Sequence, residues 1–364
     1  MLRSSKQPSL SLCRLSSVLL FLGTSGLLAS QSCATDSTSP ATPTGPSPAL
    51  EQVAFDALGA AKVMFQRIGR GGYLEVVYLI DAAARTSIAI DSLPSLFGPM
   101  ISPTGSAIVF LAWSGALSSA YDVYAADITG KNRRRLASFP GNSEGPPSWT
   151  PDGSGVVVFL VDDYPATWAI WRTSAPAPLR TFAPDALGQY ECPTLKRSLD
   201  WGPISVSPTG GVAYSCAGRE IDIAEASTDP LEARYQRSSL ASGIHSPIWS
   251  PNGTELAFLE VLRQSDITSP ILSTSLKVLN VVDGAVRTLA VVQGSGRVLW
   301  NTANPFSVCW LPGGESLVFN AASTGVTGNE PIRANLYVVD GNGSNLRQLT
   351  TATDAFDHSV SCSP

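Results

Sequence analysis

From residue 53 onward one pattern of apolar and polar positions recurs. A turn of the Ser-Pro-x-Gly type is followed by a short apolar strand carrying an aromatic. A second apolar strand comes next, and then a charged strand end. The copies begin "FGPMISPTGSAIVFLA" from Phe97, "GPPSWTPDGSGVVVFLV" from Gly145, "GPISVSPTGGVAYSC" from Gly202, "HSPIWSPNGTELAFLE" from His245 and "FSVCWLPGGESLVFNA" from Phe306. Their turn prolines are Pro103, Pro151, Pro208, Pro251 and Pro312, and Pro364 ends the chain. Phe110, Phe159, Tyr214, Phe258 and Phe319 fill the aromatic slot six to eight positions after the proline. Companion runs such as "YDVYAADITGKNRRRL" and "ANLYVVDGNGSNLRQLT" follow, with Gly, Asn and Asp at the turns.

Each unit therefore supplies about four short strands at a period of 40 to 60 residues, the signature of a propeller blade. The two ends of the chain complement each other. "AKVMFQR", residues 61–67, reads as an aromatic strand with Phe65 in the slot, yet no Ser-Pro strand precedes it. The missing strand stands at the other end, in "HSVSCSP", residues 358–364. The expected fold is all-β: a six-bladed β-propeller of four-stranded antiparallel blades over residues 53–364. The C-terminal strand completes the first blade and so removes an open sheet edge. The turn proline ends the inner strand, and the glycine supplies the positive φ that the turn needs.

Composition agrees. Apolar residues make up 44% of the 364 and charged residues 15%, while 31 glycines and 27 prolines favour many short elements. A net charge of −5 carries no basic footprint for nucleic acid. Residues 1–32 read as a signal peptide. Arg3, Lys6 and Arg14 precede the apolar run 18–29, which is too short to span a bilayer stably. Two processing routes fit. Cys33 follows the apolar run as the lipidated cysteine of a bacterial lipoprotein does, although Ser30 stands where leucine is usual. Ordinary cleavage after Ala34 is the other route. Residues 33–52 form a Ser/Thr/Pro-rich stretch unable to bury enough surface to fold, expected to act as a disordered tether.

The repeat resembles that of the TolB family of WD-type propellers. There an inner strand with tryptophan leads into Ser-Pro-Asp-Gly, an "IAF"-like strand and "IYVVDxDGxxxRxLT". "SWTPDGSGVVVF", "IWSPNGTELAF" and "NLYVVDGNGSNLRQLT" are close matches. The resemblance covers roughly residues 53–364 and implies architecture, not activity. TolB carries a separate N-terminal α/β domain where this chain has only the tether, so a Tol–Pal role is not expected. Related propellers precede peptidase domains in some serine peptidases, and none follows here.

Candidate chemistry is sparse. His245 and His358 are the two histidines, and each lies six residues before a turn proline at the start of an inner strand. Phe97 and Phe306 hold the same place in other copies. His245, His358, Phe97 and Phe306 are the candidate ligand-binding residues, at the mouth of the central channel. Two histidines without a third ligand make a poor metal site, so no metal and no cofactor are expected. Asp354 and Asp357 could raise the pKa of His358, but read as exposed loop residues. No Gly-x-Ser-x-Gly elbow, phosphate-cradling loop or His-Glu-x-x-His occurs. The serines of the Ser-Pro turns recur with the repeat and read as structural. The run at Asp340 lacks the glutamate of a calcium loop and reads as a hairpin turn. "KNRRRL", residues 131–136, reads as a solvated outer strand edge.

Among the cysteines, a Cys192–Cys216 disulfide is the first expectation, pinning an insert to its own blade. A Cys309–Cys362 bridge would lock the ring, but the two positions are offset on adjacent inner strands; buried free thiols are the alternative. The functional expectation is an exported, monomeric, non-catalytic binding or scaffold protein. Its compartment would be the periplasm or the outer membrane of a bacterium, or the medium. A protein partner in the cell envelope is expected, and membrane contact only through the lipid anchor. The alternative is a glycan-active propeller enzyme, a lyase or hydrolase, with its site at the channel mouth.

Overall fold

The computed structural model describes residues 53–69, 75–90, 96–113, 121–138, 142–143, 146–161, 167–172, 178–182, 204–216, 218–224, 232–236, 238–239, 241–265, 269–294, 306–322, 333–351 and 355–363. All lie in one compact unit, Ser47–Pro364. The signal segment, the tether with Cys33, and Cys192 fall outside them, as do the side chains of Phe97 and Cys216.

The described residues form an all-β structure with one short 3-10 turn, Phe55–Ala57, and no α-helix. The strands are β1 (Lys62–Gly69), β2 (Glu75–Asp81) and β3 (Thr86–Ile90), then β4 (Leu96–Ile101), β5 (Ala107–Trp113), β6 (Tyr121–Asp127) and β7 (Arg134–Ser138). Next come β8 (Asn142–Ser143), β9 (Ser148–Trp149), β10 (Gly155–Val161), β11 (Thr167–Arg172) and β12 (Pro178–Phe182). They are followed by β13 (Ser205–Val206), β14 (Val212–Cys216), β15 (Glu220–Ala224) and β16 (Glu232–Gln236). The chain continues with β17 (Ser242–Trp249), β18 (Glu255–Arg263), β19 (Ile271–Asn280) and β20 (Val286–Gln293). Last are β21 (Val308–Trp310), β22 (Ser316–Ala322), β23 (Ala334–Asp340), β24 (Arg347–Gln348) and β25 (Ala355–Ser363).

Consecutive strands pair antiparallel, giving four-stranded sheets β4–β7, β13–β16 and β17–β20. In the fourth such meander β8 and β9 share the edge of β10. The remaining sheet has eight strands and consists of two arrays, β21–β24 and β25–β1–β2–β3. They meet at one parallel bridge, Ala334 opposite Phe356. The C-terminal strand thus pairs with the first one, from Lys62 opposite Ser363 to Gly69 opposite Ala355. The strand at the start of each meander adjoins that of the next: β4 with β9, β9 with β13, β13 with β17, β17 with β21, β21 with β25, and β25 with β4.

The apolar runs are continuous because both faces of these sheets are covered. On β1, Val63 and Phe65 face a core shared with Val318, Leu336 and Val338. Met64, between them, faces Ile108 and Phe110 instead. On β5, Ile108 and Phe110 turn to the first array while Val109 and Leu111 meet Val156 and Val158. The two-residue period of a strand thus feeds two cores from one run. Phe65, Phe110, Phe258 and Phe319 are all buried, and burial stabilises each by about 1.5–3 kcal/mol.

The turn motif has a local and a longer-range cause. The Ser102, Ser207 and Ser250 hydroxyls accept the backbone N–H of Ala107, Gly211 and Glu255 at 3.1, 2.8 and 3.0 Å, and Thr150 does the same for Gly155. The turn glycine has positive φ, 73° at Gly253. It also lies on the proline of the preceding turn: a Cβ on Gly253 would stand 3.2 Å from Pro208 Cδ, and one on Gly314 3.3 Å from Pro251 Cδ.

A second link joins neighbouring meanders. At five junctions the residue two before the turn proline reaches the residue three before the proline of the preceding meander. Trp149 Nε1 donates to the Met100 carbonyl at 2.9 Å, and Trp310 Nε1 to that of Ile248 at 3.3 Å. The backbone N–H of Trp249 donates to Ser205 Oγ, and that of Ile101 to Ser361 Oγ, at 2.9 and 3.0 Å. Between β25 and β21 the same two places hold Cys362 and Cys309, joined as a disulfide with Cα atoms 5.6 Å apart. The expectation that their offset disfavours a bridge is corrected: this one-residue offset is what the adjoining strands bring together.

Candidate functional site

The candidate residues stand where the first strands are distorted. Register shifts follow Phe97 on β4 and His245 on β17, and one interrupts the pairing of β25 beside His358. The next residue in each case has left-handed φ: Gly98 at 56°, Ser246 at 51° and Ser359 at 53°. Such a bulge re-aims the side chain beside it. For the two serines the conformation costs about 1–2 kcal/mol. Ser246 offsets it by donating Oγ–H to the Phe306 carbonyl at 2.6 Å. Gly98 has a steric reason, since a Cβ there would lie 2.2 Å from Pro146 Cβ.

Among the three candidates whose side chains are described, His245 and Phe306 pack on each other, while His358 packs on Phe356. His245 is half-buried, with its ring centroid 5.3 Å from that of buried Phe306. His358 is buried and packs on Phe356 at 5.6 Å. Its Nδ1 lies 2.9 Å from Ser359 Oγ, and its Nε2 has no hydrogen-bond partner among the described residues. Burial pushes its pKa down to about 3, so the ring is neutral. Burial, and not a charge on Asp357, sets the direction, and Asp354 lies outside the described residues. Asp357 is no exposed loop residue: it lies on β25, fully buried, and its carboxylate is taken by the Arg67 guanidinium and the Thr350 hydroxyl. Burial pushes the Asp357 carboxyl up, against the downward pull of those two partners. Asn320 Nδ2 donates to the Asp357 carbonyl at 2.9 Å, tying β22 to the same point.

A second polar cluster lies between β16 and the β17–β20 sheet and was not read from the sequence. Glu260, on β18, is buried. One carboxylate oxygen accepts from Lys277 Nζ and Tyr235 Oη, the other from the Ser238 N–H and the hydroxyls of Ser238 and Ser242. Burial pushes the Glu260 pKa up, but the Lys277 ammonium and the serines outweigh it and hold it down at about 2. Glu260 and Lys277 are adjacent-strand neighbours, and nothing in the repeat marks them. Asp222, on β15, is also buried. Burial and the charge of Glu220 push its pKa up to about 6, against a hydrogen bond from Tyr214.

A cleft of about 490 Å³ opens between the β17–β20 and β21–β24 sheets, on the side of the Ser-Pro-x-Gly turns. Glu255 and Arg287 form one wall, the turns Gly314–Ser316 and Asp340–Asn342 the other, and Trp310 contributes its base. The Arg287 guanidinium holds Glu255 bidentately at 2.6 and 2.9 Å and reaches the Gly341 carbonyl at 3.4 Å, spanning the two walls. Asp340 accepts from Ser344 Oγ and Asn345 Nδ2 at 3.0 and 2.7 Å, the hairpin turn expected there. Among the described residues no group of three or more His, Cys, Asp or Glu could hold a metal ion, and no helix is long and apolar enough to cross a membrane.

No family model matches the chain, and no curated protein does. Solved structures do. Putative TolB from Agrobacterium tumefaciens is 15% identical, with a TM-score of 0.49 over 78% of this chain and 99% of that one. The β-propeller domain of the Trilobed protease from Pyrococcus furiosus, described as having an open velcro topology, is 13% identical, with 0.49 over 81% and 96%. Hydrazine synthase from Kuenenia stuttgartiensis is 10% identical, with 0.50 over 83% of this chain and 46% of that one. At such identities the likeness concerns the fold alone.

Proposed function

We propose that the protein is an exported six-bladed β-propeller that binds an envelope partner without catalysis, held near the membrane through Cys33. The cycle of adjoining first strands, from β4 round to β25 and back, supports six blades in a ring. The Cys309–Cys362 disulfide supports assembly in an oxidising compartment. The observation that carries the binding reading is the open polar cleft between β17–β20 and β21–β24. Its walls are pinned by Arg287 and the Asp340 turn, and rigid walls bearing polar loops suit recognition.

Two of the polar clusters favour binding over the glycan-active alternative. Glu260, Lys277 and Tyr235 satisfy one another, and Asp357 and Arg67, opposite each other on paired strands, do likewise, so these groups hold strands together. At the first-strand bulges His358 and Phe306 are buried, which leaves His245 as the reachable imidazole.

The test is affinity capture from the native envelope with the mature protein and with a Glu315→Arg, Asn342→Arg variant, both substitutions lying on the cleft wall. A partner retained by the first and lost by the second is expected. Identical captured proteins, or turnover of envelope glycan by the purified protein, would overturn the reading. Mass measurement of the mature N-terminus separately tests acylation of Cys33.

A further inference from the structure

The hairpin joining β6 to β7 concentrates positive charge. Lys131, Arg133, Arg134 and Arg135 lie within five consecutive residues, and all four are exposed, on a chain whose net charge is −5. The turn is held from within. Asp127 Oδ1 accepts the backbone N–H groups of Thr129 and Lys131 at 2.9 and 3.0 Å, and Oδ2 accepts Asn132 Nδ2 at 2.9 Å. Asn132 has a left-handed φ of 53°. The turn at Asp340 is built in the same way, with Asn345 Nδ2 on Asp340 Oδ2 at 2.7 Å and φ of 56° at Asn345.

The shared scaffold shows that the turn itself does not require the charge. The Asp340 turn leads into one cation, Arg347. The β19–β20 turn leads into Arg287, which Glu255 neutralises, and the β2–β3 turn holds Arg85, which pairs with Asp56 at 2.6 Å. In the β6–β7 hairpin Arg135 reaches Asp122 at 3.4 Å and Arg133 Nε donates to the Gly130 carbonyl at 3.1 Å, while among the described residues no ion pair joins Lys131 or Arg134. β7 pairs with β6 alone, so the cations stand along the outer rim of their sheet.

We propose that this hairpin is a docking surface for the phosphate headgroups of an anionic membrane. The proposal rests on the anchored reading above. A lipidated Cys33 would hold the folded part, which begins twenty residues on, within about 70 Å of the bilayer. That leaves the folded part near the bilayer with its orientation open. Guanidinium forks match phosphate oxygens bidentately, and the attraction adds with each cation within a Debye length of about 8 Å. The hairpin would turn its rim of the protein toward the lipid.

The mature protein purified from the envelope is mixed with vesicles of phosphatidylcholine, with or without phosphatidylglycerol. Partition and the rate of Lys131 acetylation are measured. Tighter partition and slower acetylation on the anionic vesicles, both reversed by high salt, are expected. A Lys131→Gln, Arg134→Gln variant, which melts as the parent does, should lose roughly tenfold or more of the difference between vesicle types, and Arg347→Gln should keep it. Equal behaviour on the two vesicle types, or a double variant that partitions like the parent, overturns the proposal. So does protection of Lys131 by free polyphosphate but not by vesicles, which would assign the hairpin to a soluble anion. Failure of the anchored reading looks different: an unacylated N-terminal mass with the dependence on vesicle charge intact.

Discussion

Cys362 stands to Cys309 as Trp149 stands to Met100: the residue two before a turn proline, joined to the residue three before the preceding one. At one junction the link is an indole N–H on a carbonyl, at the other a covalent bond. The covalent version falls where the last strand of the chain meets the array before it, and so fastens the strand that completes the first array.

That placement predicts an unequal dependence. The bridge spans a sequence separation of 53 residues. Restricting a loop of that length in the unfolded chain is worth about 4 kcal/mol. Replacing both cysteines by alanine should therefore lower the unfolding free energy by roughly that amount, measured in urea. Removing the Trp149 indole link with Trp149→Phe should cost about 1 kcal/mol. Equal losses would contradict the larger share assigned to the covalent link.

His358 should make the fold acid-labile. Its folded pKa of about 3 lies below the ordinary value of 6.5. The unfolded chain therefore takes up the proton first, and stability is full above pH 6.5 and falls as pH drops toward 3. At pH 4.5 the loss should be about 3 kcal/mol. His358→Phe, which installs the residue found at the equivalent place in Phe306, should flatten that slope in unfolding curves taken between pH 4 and 8.

Asp222 should act in the opposite sense. Its pKa is raised from 3.8 to about 6 in the folded state, so the folded chain keeps a proton that the unfolded chain sheds. Stability should then fall as pH rises through that window, by up to about 3 kcal/mol at neutral pH. Asp222→Asn should stabilise the protein at pH 8 and leave it nearly unchanged at pH 4, as read by thermal melting at the two values.

Glu260 and Lys277 should be costly to separate. Either Glu260→Gln or Lys277→Met leaves a buried charge without its partner, at about 3 kcal/mol. The joint replacement Glu260→Leu, Lys277→Met should cost less than the sum of the two. Because the Glu260 carboxyl is held at about 2, against 4.5 ordinarily, its contribution is present above pH 4.5 and fades as pH falls toward 2. A double-mutant cycle at pH 7 and at pH 3 reads both effects.

The repeat was legible because its parts are local. Pro103, Gly105 and the aromatic at Phe110 lie within eight residues, and a turn hydroxyl such as Ser102 serves its own turn. The pairing of residues 355–363 with β1 was legible from what each end lacked. What the sequence left hidden depends on which strands adjoin. The Cys309–Cys362 offset looks unfavourable until the Trp149 and Trp310 links show that adjoining first strands are staggered by one residue. The burial of Asp357 depends on Arg67, 290 positions away along the chain. His245 and His358 share a repeat position yet differ in exposure, since each meets a different neighbour. The cleft is a property of two sheets and of neither sequence segment alone.

The pairing of β25 with β1 also sets a schedule. A chain made from its N-terminus forward displays β1 with one flank bare until residue 363 has emerged. The earliest-made array is therefore the last to become whole, and its rim stays unpaired for the entire interval of synthesis. Long-range pairing of this kind is slow and exposed to misassembly. A message truncated by even ten codons would yield a protein wounded at its beginning.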